Sequence, residues 1–221
     1  GDGESTYSNG RGENSVVSLG LYGAWNGKDG QYVDLIMKRS KLDNEYTLNG
    51  NVFIGQIEAD YDTWGTSISA EYGKRFETSK GFYLEPNAEL TLGRVEGVNY
   101  NTSLSAGGEK LNVQQDDYDS LVGRIGLRLG QKMDKANYYA KFAVAKEFAG
   151  DFDTKYATIG KSGITETKET SMSFKDTWYE MQIGGTAQLS DNSYFYASYE
   201  RNFGADVEQK WRVDAGLRFS F

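Results

Sequence analysis

The sequence contains no cysteine and no histidine. The first absence rules out disulfide staples and thiolate metal sites. The second removes the usual general base of hydrolases and the commonest transition-metal ligand. Basic residues are scarce relative to acidic ones, 24 against 32, for a formal net charge of −8. That balance argues against a nucleic-acid partner, which selects clustered Lys and Arg. No apolar run approaches the roughly 18 residues of a transmembrane helix. The opening GDGESTYSNGRGEN is polar and lacks the apolar centre of a signal peptide. Proline occurs once, whereas there are 27 glycines and 16 tyrosines, a composition suited to a β-meander with tight turns and interfacial aromatics.

What the chain does contain is alternation. In WRVDAGLRFSF, the last segment, Trp211, Val213, Ala215, Leu217, Phe219 and Phe221 fall at every second position, separated by Arg212, Asp214, Gly216, Arg218 and Ser220. Successive side chains of a strand point to opposite faces, so this is a strand with one apolar and one charged face. Eight earlier segments read the same way: VVSLGLYGAW, QYVDLIMKRS, WGTSISAEYGKRF, FYLEPNAELTL, LVGRIGLRLG, YYAKFAVAKEF, WYEMQIGGTAQL and SYFYASYERNF. The polar faces carry both signs in similar numbers: Asp34, Lys38, Glu71, Arg75, Glu85, Glu89, Arg124, Arg128, Lys141, Glu147, Glu180, Glu200, Arg212, Asp214 and Arg218. The apolar faces are aliphatic in the middle and aromatic toward the ends, the pattern of a lipid-facing band with aromatic girdles. The fold class is therefore all-β, an antiparallel meander transmembrane barrel with charges toward a watery lumen. A soluble barrel or sandwich would pack the same apolar faces inward, and alternation by itself does not distinguish the two.

Connections alternate in length. NGKDG, ETSKG, GQKMDKAN and SDN are short; Leu42–Thr63, Val95–Asp119 and Ala149–Asp176 are long and polar, and GADVEQK is the shortest of that second kind. Outer-membrane barrels have short periplasmic turns and longer extracellular loops, which places the C-terminus in the periplasm and residues 1–14 as a polar extracellular loop or linker ahead of a barrel domain at 15–221. Nine strands is an odd number, and an open edge cannot face lipid. An odd number of strands is accordingly expected upstream of Gly1, unless one strand is overlooked. NVFIGQIEADYD is the one candidate for that.

The order GLYGAWNGKDGQYVDLIMK, SISAEYGKRF, GFYLEPNAEL and RIGLRLG, closed by an aromatic-terminated strand, resembles the autotransporter β-domain, the translocator of type V secretion. The resemblance runs from about Ser15 to Phe221. It implies a twelve-stranded barrel of which the last nine strands are present here, threaded from an N-terminal passenger, monomeric and without cofactor. It also implies partners: outer-membrane lipid, the barrel-assembly machinery and the passenger. The end of the chain is similar to the signal read by that machinery, with Asp214, Gly216, Phe219 and Phe221 in the signal's places; an edge strand with two aromatic anchors suits β-augmentation. Phe221 could equally be a plain interfacial anchor.

Some family members cut their passenger with acidic lumen residues, but the junction would precede Gly1, and no catalytic residue is assigned here. Asp116, Asp117 and Asp119, or Asp151 and Asp153, lack EF-hand spacing, so no metal site is assigned either. Gly123, Gly126, Gly184 and Gly185 are read as allowing curvature or close packing. A general porin or small structural barrel without passenger is the alternative function, and an outer-membrane enzyme a more distant one.

Overall fold

The computed structural model describes residues 2–5, 10–49, 55–104, 110–160, 163–205 and 210–219. In chain order the strands are β1 (Asp2–Ser5), β2 (Gly10–Asn26), β3 (Gln31–Asn49), β4 (Gln56–Lys74), β5 (Phe76–Glu77), β6 (Phe82–Val95), β7 (Val98–Asn101), β8 (Ser103–Leu104), β9 (Lys110–Gln115), β10 (Tyr118–Lys132), β11 (Ala136–Glu147), β12 (Asp151–Gly160), β13 (Gly163–Ser173), β14 (Thr177–Ser190), β15 (Ser193–Phe203) and β16 (Arg212–Phe219). Each segment read as a strand from its alternation lies largely on one, the last of them as Arg212–Phe219, with Ser220 and Phe221 outside the described residues. The long strands pair in the order β2-β3-β4-β6-β10-β11-β14-β15-β16, an antiparallel meander curled into a partial barrel. Its outer members β2 and β16 do not pair with each other.

Short turns close one end of this wall. Gly30 and Gly81 occupy positive φ of 82° and 76°, and a Cβ on either would lie 2.4 Å from the Arg75 carbonyl or 2.2 Å from the Lys132 carbonyl. Only glycine fits there. In exchange, the Gly30 and Gly81 carbonyls accept hydrogen bonds from the Arg75 and Lys132 amides, both at 2.8 Å, tying each turn to the next hairpin.

The other end is more ordered than the sequence suggests. Leu42–Thr63, expected as a loop, mostly continues the β3–β4 hairpin, with Leu42 opposite Thr63 and Leu48 opposite Ile57. The stretch considered for an overlooked strand belongs to β4 from Gln56 onward and adds no strand to the wall; its residues 51–54 lie outside the described ones. The reason is a reversal of faces. Along the lower half of β3 and β4, Leu35, Met37, Ile68 and Tyr72 point outward; above Arg39 and Trp64, the outward positions are Asp43, Glu45, Glu58, Asp60 and Asp62, while Leu42, Tyr46, Ala59 and Tyr61 point inward. Strand structure likewise occupies the segment expected as linker: Asp2–Ser5 pair with Gly10–Glu13, and Gly10–Asn14 pair with Asn44–Leu48.

The remaining long connections build a second sheet, ordered β13-β12-β9-β7, from residues expected as polar loops. Tyr100 of β7 stacks on Tyr61 at 4.4 Å between ring centroids and meets Tyr46 edge-on at 6.4 Å. Val113 of β9 is buried beside them. Tyr118, Phe152 and Phe174 form a further aromatic cluster where this sheet meets the wall.

Candidate functional site: the charged inner face

The two faces of the wall differ in the direction opposite to a soluble core. Ile125 is 73% exposed and Leu21 72%, whereas Glu85, on the other face, is 2% exposed. Leu19, Leu90, Ile183, Leu217 and Phe219 share the exposed outer face. Apolar residues point away from the concavity and charged residues into it, so the inward-packed soluble arrangement does not apply.

Cross-strand register places the charged residues in rows on the concave face. One row runs Asp34, Glu71, Glu89, Arg124 across β3, β4, β6 and β10. Another runs Glu85, Arg128, Lys141, Gln182, Glu200, Arg212 from β6 to β16. Like-charge neighbours within a row are offset by diagonal pairs. Glu85 lies between two guanidinium groups, Arg75 Nη2 at 2.6 Å and Arg128 Nη1 at 2.7 Å. Arg124 lies between two carboxylates: Glu89 Oε2 at 2.8 Å, and Glu180, which takes Nε at 2.9 Å and Nη2 at 3.0 Å. This second pair spans from β10 to β14 over the small Ala143 and Ala145 of β11, both buried. Trp178 Nε1 also donates to Glu180, at 2.8 Å. Arginine suits these positions because its planar fork satisfies two carboxylates and stacks on rings: Arg75 sits 4.2 Å over Tyr83 and Arg128 4.9 Å over Tyr139.

The other charged positions vary in role. Asp34 accepts from Tyr22 Oη at 2.9 Å. Glu71 accepts from Tyr32 Oη at 2.6 Å and Asn87 Nδ2 at 2.7 Å. Glu147 serves the backbone, taking the amides of Leu121 at 2.7 Å and Ala149 at 3.1 Å and the Ser120 hydroxyl. Arg212 joins Asp214 at 2.8 Å and Glu200 at 3.4 Å. Lys38 faces Gly20 and Ser67; Arg218 faces Tyr194. Around the concavity a 760 Å³ hollow includes Glu89, Arg124, Lys141, Glu180 and Arg212, and a 470 Å³ one includes Tyr22, Asp34, Glu71, Arg75 and Glu85.

Tyrosines of the inner face escape a reading based on charge. Tyr32, Tyr83, Tyr139 and Tyr196 each stand directly opposite a glycine on the next wall strand: Gly73, Gly130, Gly184 and Gly216. Each ring or hydroxyl occupies the space a Cβ would need, at 2.4 Å for Gly73 and Gly130, 2.8 Å for Gly184 and 2.5 Å for Gly216. All four pairs lie toward the short-turn end. Gly216 of the terminal segment is thus a packing position. Phe219 is exposed on the outer face opposite Ser193, and Phe221 lies outside the described residues.

Above the wall, the loop carboxylates bind protein groups. The Gly97 amide and the Arg94 guanidinium hold Asp117 below the ordinary carboxylate range; Lys175 and the Ser173 hydroxyl do the same for Asp151. Among the described residues no group of three acidic side chains is arranged to hold a metal ion.

The profile described as "Autotransporter beta-domain" matches residues 1–200. Pertactin autotransporter of Bordetella parapertussis is 31% identical over 217 residues, 96% of this chain and 22% of that protein. BrkA autotransporter of Bordetella pertussis is 31% identical over 224 residues, 99% of this chain and 21% of that one. The chain thus spans about a fifth of the length of these curated relatives. The solved β-domain of the Bordetella autotransporter BrkA superposes with a TM-score of 0.66 at 28% identity, covering 100% of this chain and 76% of that structure. The chain belongs to the autotransporter β-domain family, the outer-membrane β-barrels of type V secretion.

Proposed function

We propose that this chain forms most of the membrane-embedded translocator and anchor of an autotransporter, giving an N-terminal passenger its route across the outer membrane. The observation that carries the reading is the pairing of an exposed apolar outer face with a salt-bridged, charged concave face. The outer face suits lipid, and the inner one keeps a hydrated path for an extended or hairpin segment. The chain makes no covalent bond in this role. In the proposed orientation the short turns and the C-terminus are periplasmic, and the second sheet stands outside the cell. Residues 15–221 belong to the barrel, which is closed by further strands N-terminal to β2 and works as a monomer. Asp214, Gly216, Phe219 and Phe221 form the edge and anchors that the barrel-assembly machinery takes up by β-augmentation.

The test uses the full-length protein in its native envelope. Replacing Phe219 and Phe221 by Ser should leave precursor in the periplasm and remove surface display of the passenger. Normal display by that variant would rule out the signal role, and no displayed passenger in the unaltered protein would rule out the translocator.

A further inference from the structure

Charge on the outer face is handled differently on the two sides of the wall, at the end away from the short turns. On β3 and β6 the outward cations at the boundary each have a carboxylate beside them. Arg39 meets Glu96 at 2.7 Å, Lys41 meets Asp43 at 2.8 Å, and Arg94 meets Asp117. On β11, β14, β15 and β16 the outward positions hold only two charged side chains among the described residues, Lys146 and Arg201. Both are cations, and both are exposed. Among the described residues neither side chain has an ion pair or a hydrogen bond. Lys146 Nζ lies 5.4 Å over the Phe148 ring, which carries no formal charge to answer it.

The two cations flank an aromatic pair. Tyr179 of β14 and Phe203 of β15 stack at 5.8 Å between centroids, 48% and 42% exposed. Lys146 stands opposite Thr177 and Arg201 opposite Met181, on either side of Tyr179 along β14. Those offsets, about 13 Å along β14 and about 10 Å across two strand spacings, set the two Cα atoms about 16 Å apart. Extending the β15–β16 register by one residue from Glu200 and Arg212 brings Trp211, 66% exposed, to the other side of Arg201. Arg201 shares a cross-strand row with Leu127, Phe142 and Met181. Strands of a barrel tilt, so a row climbs as it crosses them. Beyond Leu127, β10 runs on to Tyr118, whereas beyond Arg201, β15 ends at Phe203. Arg201 is therefore at the rim of the apolar band, where its stem lies on the apolar surface and its head reaches the headgroup level.

We infer that Lys146 and Arg201 bind the headgroup of a lipid carrying two phosphate groups, a diphosphorylated glycolipid of the outer leaflet. One phosphate meets each cation, the Tyr179–Phe203 pair lies under the sugar between them, and the acyl chains run down the apolar face below. Charge complementarity selects the ligand: two cations, no outward carboxylate on these four strands, and a guanidinium fork that matches phosphate oxygens. Their separation, shortened by two long flexible side chains, spans one large headgroup; a lipid with a single phosphate engages one cation and leaves the other unanswered. The inference rests on the orientation proposed above, with the second sheet outside the cell, and names a ligand which that reading does not.

The experiment reconstitutes the full-length protein into phosphatidylcholine vesicles containing a minor fraction of diphosphoryl lipid A. Mild detergent then extracts the protein, and lipid A is counted per protein. Lys146→Gln or Arg201→Gln should lower retention by about fivefold, and the two together by about twenty-fivefold. Arg201→Lys should restore most of the loss, and Lys41→Gln, which removes a paired cation, should change nothing. A compact band before boiling confirms folding of each variant, and the single variants are read by themselves if the double one fails to fold. Unchanged retention in folded Lys146→Gln and Arg201→Gln overturns the site. Equal retention of phosphatidylglycerol, or of lipid A stripped of its phosphates, overturns the two-phosphate assignment. The orientation is checked separately, by protease added to intact cells. Cleavage of the second sheet only in broken cells would refute that orientation and the leaflet assigned here, whatever the vesicles retain.

Discussion

At the scale of single residues, exposure separates the ionic contacts that hold the wall from those that decorate it. Glu85 is 2% exposed and is shared by Arg75 and Arg128, whereas Lys41 and Asp43 pair at 2.8 Å with side chains 41% and 44% exposed. Exposed pairs contribute at most about 1 kcal/mol. Removing one partner of a buried pair costs about 3–5 kcal/mol, because the remaining charge stays desolvated. Arg75 and Arg128 keep side-chain exposures of 35% and 26%, so water compensates in part, and Glu85→Ala is expected to cost about 3 kcal/mol. Asp43→Ala should cost less than about 1 kcal/mol. Urea unfolding of the membrane-inserted protein measures both; equal effects would mean that the concave face is as wet as the loops. None of these partners could be read from sequence. Alternation places Glu85, Arg75 and Arg128 on one face, but their meeting depends on register, which sets Glu85 opposite Arg128 and leaves Arg75 to reach from the turn that joins β4 to β6. The tyrosine–glycine pairs were hidden for the same reason, since each partner is unremarkable until the strands are aligned.

At the scale of elements, the alternation that identifies the strands also locates the membrane, through the point where it reverses. Within the belt the outward positions are apolar, as in Leu35, Met37, Ile68 and Leu127; beyond Arg39 and Trp64 they become Asp43, Glu45, Asp60 and Asp62, while apolar side chains turn inward. A pattern search that expects one phase sees this reversal as the end of the strand, which is why Leu42–Thr63 reads as a loop. The second sheet is obscure for a different reason. Its strands are rich in Asn, Gln and Thr, and its apolar contacts are few tyrosines and valines that meet residues far away in sequence, such as Tyr100 with Tyr61. The reversal makes a position-specific prediction. Leu127→Arg, in the belt between Pro86 and Phe142, should destabilise the inserted protein by about 2–4 kcal/mol. Asp60→Arg, opposite Glu45 above the boundary, should be neutral or slightly stabilising, since it replaces a like-charge cross-strand pair with an opposite one. Folding titrations in lipid vesicles decide this, and equal penalties at both sites would place the boundary higher than Arg39 and Trp64.

At the scale of the whole molecule, the unpaired edges decide what the chain can do by itself. Among the described residues, the outer sides of β16 and of β2 below its pairing with β1 carry main-chain groups without partners in the sheet. Each such group facing hydrocarbon costs several kcal/mol, which is why strands cross membranes only in closed walls. Side-chain ties across the concave face, Arg124 to Glu180 and Tyr83 to Asn137, hold the curvature but satisfy no edge. The sheet also cannot relieve its edges by bringing β2 to β16 with both termini on one side, because an odd number of wall strands separates the ends onto opposite sides. Expressed by itself with a periplasmic leader, residues 1–221 should therefore show no compact band before boiling and should be degraded or aggregate. Adding the N-terminal strands of the same β-domain should restore a heat-modifiable, protease-resistant band in the outer membrane. A compact, heat-modifiable band from residues 1–221 by itself would show that β2 and β16 can meet, and that the curvature built into these rows of tyrosine, glycine and paired charge is enough to close a smaller ring.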